Sequence, residues 1–195
     1  MSRYPTRIVC LTEETTETLY LLGEGDRVVG VSGYTVRPPE ARRKPRVSAF
    51  ISAKFDQIDA LKPDLVLGFS DLQADLASTL VKRGHTVVVF NQRSVDDICS
   101  VLFQVAAMVD QADAGKKWLD QMQAEIQRIK HTTQGWRRRP KVYFEEWDEP
   151  RISAIRWVSE LMAIAGGDDV FPELACQPMG KDRILADDGP ILRAA

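Results

Sequence analysis

The chain has 195 residues, 44% hydrophobic and 28% charged, with 26 basic and 28 acidic side chains and a net charge of −2. That balance is ordinary for a folded globular protein; it argues against a disordered or membrane-spanning chain and gives no electrostatic case for nucleic acid. Three cysteines, Cys10, Cys99 and Cys176, are odd in number, far apart and without CxxC spacing, so neither a disulfide framework nor a zinc site is indicated.

The first residues, Met1 to Arg7, lead straight into an apolar run, which leaves no stretch long enough for a signal-peptide core. The expectation is a cytoplasmic chain as written, and a periplasmic or cell-surface one if a leader has been removed. Residues 7–11 read as a strand. The Thr- and Glu-rich residues 12–17 then open a helix that carries Leu19, Leu21 and Leu22 and stops at Gly23-Glu24-Gly25. That glycine pair closes a helix instead of opening one, so it is a turn and not a dinucleotide fingerprint. Residues 27–31 form a second strand, and Pro38-Pro39 with Arg42-Arg43-Lys44-Pro45 marks an irregular surface excursion. A helix over 52–61, a strand over 65–67, a helix over 73–82 and a strand over 86–90 follow. The strands are nearly unbroken apolar runs, as in Val87-Val88-Val89, the pattern of strands covered on both faces. The first 93 residues are therefore expected to be a parallel α/β lobe.

Residues 94–133 contain no proline. Val95, Ile98, Val101, Leu102, Val105, Met108 and Val109, then Trp118, Met122, Ile126 and Ile129, repeat at spacings of three and four. One long helix over 94–134 is expected, about 60 Å if unbroken, with a soft point near Asp110, Asp113 and Gly115. Such a rod connects two bodies more readily than it packs inside one. Beyond it, Trp136 to Arg139 reads as a solvated basic linker. Residues 141–144 then read as a strand and 157–165 as a helix closed by Gly166-Gly167. Residues 135–195 start a second α/β lobe with too little chain to match the first.

In open parallel sheets ligands bind beyond the carboxyl ends of strands, which directs attention to residues 12–15, Gly33-Tyr34, Ser70-Asp71, Asn91-Gln92-Arg93 and Glu145-Glu146-Trp147. Polar groups interleaved with aromatics there suit an organic ligand held by stacking and a few hydrogen bonds. His85 and His131 have no triad or metal neighbours in sequence and read as structural or exposed. The acids Glu145, Glu146 and Asp148 fit either a metal-dependent or acid/base enzyme or a pocket rim.

Residues 7–11, 17–31 and Leu61-Lys62-Pro63-Asp64-Leu65-Val66-Leu67, with Tyr34…Pro38-Pro39, Phe144-Glu145-Glu146-Trp147 and Glu160-Leu161 through Gly167, resemble substrate-binding proteins of ABC importers for cobalamin and iron chelates. The cobalamin-binding branch fits best. The resemblance implies a non-enzymatic protein with two small parallel-sheet α/β lobes joined by one long backbone helix, and a ligand held in the cleft between them. Carried over position by position, it implies Tyr34, Phe50, Trp147, Arg156 and Trp157 as ligand-binding residues, to which the strand-end reading adds Ser70 and Arg93. Asp56 and Asp188 become acids that dock onto an ABC permease. The implied cargo is cobalamin first, an iron siderophore or haem second, with no intrinsic cofactor and no structural metal.

Overall fold

The computed structural model describes residues 3–185. It divides into two compact units. Unit 1 comprises residues 1–92 and 99–119, and unit 2 residues 93–98 and 120–195.

Unit 1 is a six-stranded sheet with helices on both faces. Its strands are β1 (Ile8–Cys10), β2 (Val28–Ser32), β3 (Arg46–Ala49), β4 (Ser52–Ala53), β5 (Leu65–Phe69) and β6 (Val87–Phe90), in spatial order β4-β3-β2-β1-β5-β6. All neighbours are parallel except β3 and β4. The central strands β1 and β5 are buried along almost their whole length, and side-chain alternation sends their residues into two separate cores. Ile8, Cys10, Leu65 and Leu67 join Leu19 of α1 (Glu13–Leu21) and Val101, Val105 and Val109 from the helical stretch beginning at Val95. On the opposite face, Val9, Leu11 and Val66 join Ile58 of α2 (Phe55–Leu61) and Leu80 of α3 (Ala74–Lys82).

The turn read at Gly23 is a Schellman closure. Glu24 N–H donates to Leu19 O at 2.8 Å and Gly23 N–H to Tyr20 O at 3.0 Å, with Gly23 at φ 81°. Two expectations in this unit change. The helix expected from Ser52 begins at Phe55, because Ser52 and Ala53 turn back as β4 against β3 and Lys54 N–H donates to Val47 O. Strand β6 is not covered on both faces: it lies at the sheet edge and Val89 is 36% exposed.

The long helical stretch is interrupted close to its soft point. It forms α4 (Val95–Met108) and α5 (Ala112–Gln134), separated at Asp110, which takes φ 67°. Gln111 N–H donates to Ala106 O at 2.9 Å, so an aspartate occupies the left-handed capping position that glycine usually fills. Gly115 lets the chain return closely, since a Cβ there would stand 2.5 Å from that of Ala106. The apolar stripe of α4 is buried at Cys99, Val101, Val105 and Ala106, whereas Trp118, Met122, Ile126 and Ile129 of α5 are half-buried.

Unit 2 pairs β7 (Lys141–Val142) in parallel with β10 (Asp168–Asp169). It also forms an antiparallel hairpin from β8 (Glu145–Asp148) and β9 (Arg151–Ser153), and adds helices α6 (Arg156–Ile164) and α7 (Pro172–Ala175). The strand expected over 141–144 therefore ends at Val142, and the hairpin takes the acidic residues that follow. Arg139 lies in an exposed linker, as expected, but is not free there. Its guanidinium holds Ala163 O, Gly167 O and Asp168 Oδ1, closing the carbonyl end of α6. Among the described residues no helix is long and apolar enough to cross a membrane.

Candidate functional site

Because β3, β2, β1, β5 and β6 are parallel, their carboxyl ends share one edge of unit 1. Tyr34, Phe50 and Ser70 all follow strand ends on that edge. It is organised by hydrogen bonds between neighbouring strand ends: Gly33 N–H donates to Ser48 O at 2.7 Å, Ser48 Oγ to Leu11 O at 3.0 Å, and Ser70 N–H to Phe90 O at 2.6 Å. Tyr34 N–H donates to Ser32 Oγ at 3.1 Å, and its side chain is exposed, with the residue 61% accessible. Phe50 is half-buried at φ 52°. Ser70 is buried at φ 77°, where its hydroxyl donates to Asp71 Oδ1 and accepts from Leu72 N–H. Its hydroxyl is therefore already committed to the turn that starts the helix after β5.

One organising residue escaped the sequence reading. Gln73 is fully buried; its side-chain oxygen accepts from Phe69 N–H at 3.0 Å and its nitrogen donates to Phe50 O at 2.7 Å. It ties the end of β5 to the β3–β4 turn and so fixes Phe50. Gly68 makes the room, since a Cβ there would sit 2.7 Å from Gln73 Oε1. In sequence Gln73 is indistinguishable from an ordinary polar residue near a helix start. On the same edge, Glu14 accepts from Thr12 Oγ1 at 2.6 Å, and burial pushes its carboxyl above the ordinary glutamate range.

Unit 2 brings a different subset together at the start of α4. Ser94 and Asp97 form a capping box: Ser94 Oγ accepts from Asp97 N–H at 3.1 Å, and the Asp97 carboxylate accepts from Ser94 N–H at 2.9 Å and Arg93 N–H at 3.1 Å. The Ser94 hydroxyl foremost, then the Arg93 and Ser94 amides, holds Asp97 below the usual carboxylate range. Glu160 of α6 accepts from Val95 N–H at 2.7 Å and from Arg156 Nε at 2.8 Å. Arg93 and Arg156 thus meet at one helix end, with Arg156 already paired, and Trp157 beside it is half-buried. Trp147 stands on the β8–β9 hairpin, 60% exposed; its indole N–H donates to Glu149 O, which leaves the ring face as its available surface.

Two acids of that hairpin, Glu145 and Glu146, are already engaged. Glu146 pairs with the buried Arg183, which also donates to Ser153 O at 2.7 Å. Glu145 lies 3.4 Å from Arg151 and accepts from Tyr143 at 2.9 Å; burial, then this bond, pushes the phenol up to about 12. The register shifts between Glu145 and Trp147, and the two acids are held by different arginines, Glu145 by Arg151 and Glu146 by Arg183. Among the described residues no group of three or more His, Cys, Asp or Glu side chains is placed to hold a metal ion.

Asp56, at the start of α2, is exposed and paired with Arg83 at 2.9 Å. Arg83 also reaches Asp59 at 2.5 Å, and the mostly buried His85 meets Asp59 Oδ1 at 2.6 Å. His85, then Arg83, holds Asp59 below the ordinary aspartate range. His131 is exposed. The expected second docking acid, Asp188, lies outside the described residues.

Residues 8–195 match the family model described as periplasmic binding protein. The chain belongs to that family. A vitamin B12-binding protein of Pectobacterium carotovorum is 25% identical over 173 residues, covering 87% of this chain and 63% of the relative. One from Vibrio parahaemolyticus is 28% identical over 176 residues, covering 87% and 62%. The chain thus spans less than two thirds of the length of these relatives. Among solved structures, the periplasmic vitamin B12 binding protein BtuF of Vibrio cholerae superposes with a TM-score of 0.75 at 23% identity, covering 90% of this chain and 69% of that one. The periplasmic heme-binding protein RhuT from Roseiflexus gives 0.78 at 22% identity, covering 96% and 73%. These likenesses establish the periplasmic-binding-protein fold, and family and relatives alike are named as binding proteins.

Proposed function

We propose that this chain is a ligand-binding protein for cobalamin or a similar metal chelate, acting as the substrate-binding component of an ABC importer. The observation that carries the reading is membership of the periplasmic binding protein family together with relatives named vitamin B12-binding proteins. The chemistry supports it. On the edge of unit 1, Tyr34 and Phe50 offer ring surface to a large flat ligand; within unit 2, Trp147 and Trp157 are aromatics of the same kind and Arg93 is a cation. Ser70 shapes the unit 1 edge and Arg156 positions the start of α4. Asp56 is the proposed docking carboxylate toward the permease, and docking there exchanges its bond to Arg83 for one to the partner.

Titration of the protein with hydroxocobalamin, followed by absorbance and calorimetry, tests this. Stoichiometric binding is expected, with Tyr34→Ala and Trp147→Ala each weakening it about tenfold. A flat titration at high-micromolar concentration refutes the cobalamin assignment. A second reading, haem or an iron siderophore, draws on Arg93 and Arg156 at one helix end, which suit the carboxylates of such chelates. Haemin binding without cobalamin binding would establish it.

A further inference from the structure

The basic excursion that the sequence places at 42–45 is a built feature of unit 1 and runs into Arg46 of β3. Arg42, Lys44, Arg46 and Lys54 surround a depression of about 580 Å³ whose apolar lining is Pro45, Ala60 and Leu61. It lies by Arg46, the first residue of β3, at the opposite end of that strand from Phe50. The backbone under the charges is anchored in the sheet, because Val31 N–H donates to Pro45 O at 2.9 Å and Lys54 N–H to Val47 O at 2.8 Å. Arg46 and Lys54 also line a neighbouring hollow of about 270 Å³.

These cations differ from the paired arginines of the chain. Arg27, Arg83, Arg139, Arg156 and Arg183 each hold a carboxylate. None of the four cations around this depression has a carboxylate within 4.0 Å among the described residues. Four like charges line one open concavity, and an anion that enters gains charge-assisted hydrogen bonds from them. The volume falls in the range of small-molecule pockets, larger than a lone phosphate requires, and the apolar lining suits a carbon skeleton.

We propose that this depression binds a small organic polyanion, a molecule with an apolar body bearing two or more phosphate or carboxylate groups. The site is separate from the chelate-binding reading and stands without it.

The probe is benzene-1,3,5-tricarboxylate, titrated into the full chain and read by amide chemical shifts and calorimetry. Binding is expected to shift the amides of Arg46, Lys54 and Leu61, to weaken with added salt, and to fall at least about tenfold in R46E/K54E. R46Q/K54Q, which only neutralises the pair, is expected to fall between the two. The charge-matched R137E/R138E variant, placed in unit 2, is expected to stay within about twofold of the parent. Far-UV circular dichroism checks that each variant is folded. Absence of shifts at those amides, or equal losses in R46E/K54E and R137E/R138E, overturns the proposal. Co-sedimentation with vesicles containing phosphatidylglycerol, without tricarboxylate binding, overturns it in favour of a lipid surface.

Discussion

Replacing Gln73 by leucine removes the acceptor of Phe69 N–H and the donor to Phe50 O while keeping a side chain of similar size in a fully buried position. Each hydrogen bond is worth about 1 kcal/mol net, and each group that loses its partner in a partly buried site adds about 1 kcal/mol or more in desolvation. Leucine's extra apolar burial returns part of this, leaving a cost of about 3 kcal/mol. For a chain of this size that corresponds to a fall in Tm of about 6–12 °C by calorimetry or circular dichroism. The bond from Gln73 to Phe50 O supports Phe50 at positive φ, so the proposed chelate binding is expected to weaken with stability. Gly68→Ala provides a second arm, since its Cβ would meet Gln73 Oε1 at 2.7 Å. Its cost should largely disappear in a Gln73→Ala background, which a double-mutant cycle measures. A Tm change below about 1 °C for Gln73→Leu, or simple additivity in the cycle, refutes the role assigned to Gln73.

The half-buried Glu14 carboxyl is held above its ordinary range, so its neutral form is favoured in the fold and its contribution is fully present below the unfolded pKa. That contribution is lost as pH rises through the folded pKa. Glu14→Gln, which cannot ionise, should therefore gain Tm relative to the parent at pH 7 and not at pH 4. An equal difference at both pH values contradicts this. The three cysteines should separate under a thiol reagent. Cys176 is exposed and should react in the native protein, whereas Cys99 and Cys10 should react only after unfolding. Burial pushes the Cys10 thiol up to about 12, which removes the thiolate as well as the access. Rapid modification of more than one cysteine in the native chain would mean that the α1–α4 core is not closed.

Much of unit 1 was legible because its signals are local. The apolar runs of β1, β5 and β6, the glycine stop of α1 and the 3–4 spacing of α4 each lie within a few consecutive residues. The misses share a cause. Strand β3 has no periodicity of its own and exists because Val31 and Ser32 pair with it; β4 exists because it returns against Ser48 and Ala49. The hairpin carrying Trp147 was hidden because Glu145-Glu146-Trp147-Asp148 reads as a polar loop until Arg183, some 37 residues later, neutralises Glu146. The partners of the exposed Arg139 on α6 and β10 were missed because they lie 24 to 29 residues away.

The sequence by itself determined the alternation of strand and helix, the long amphipathic stretch with its weak point near Asp110, and the family phrases around Gly23 and Pro63. These depend on backbone propensity and hydrophobic period, which act between near neighbours. The tertiary structure decided which polar residues are already engaged and which remain available to a ligand. Ser70, Arg156 and Glu146 are occupied by partners within their own unit, Gln73 holds the edge on which Tyr34 and Phe50 stand, and Arg46 and Lys54 are left facing a concavity without a carboxylate among the described residues. Whether a charge is engaged is settled by groups far away in the chain, and no local pattern encodes that.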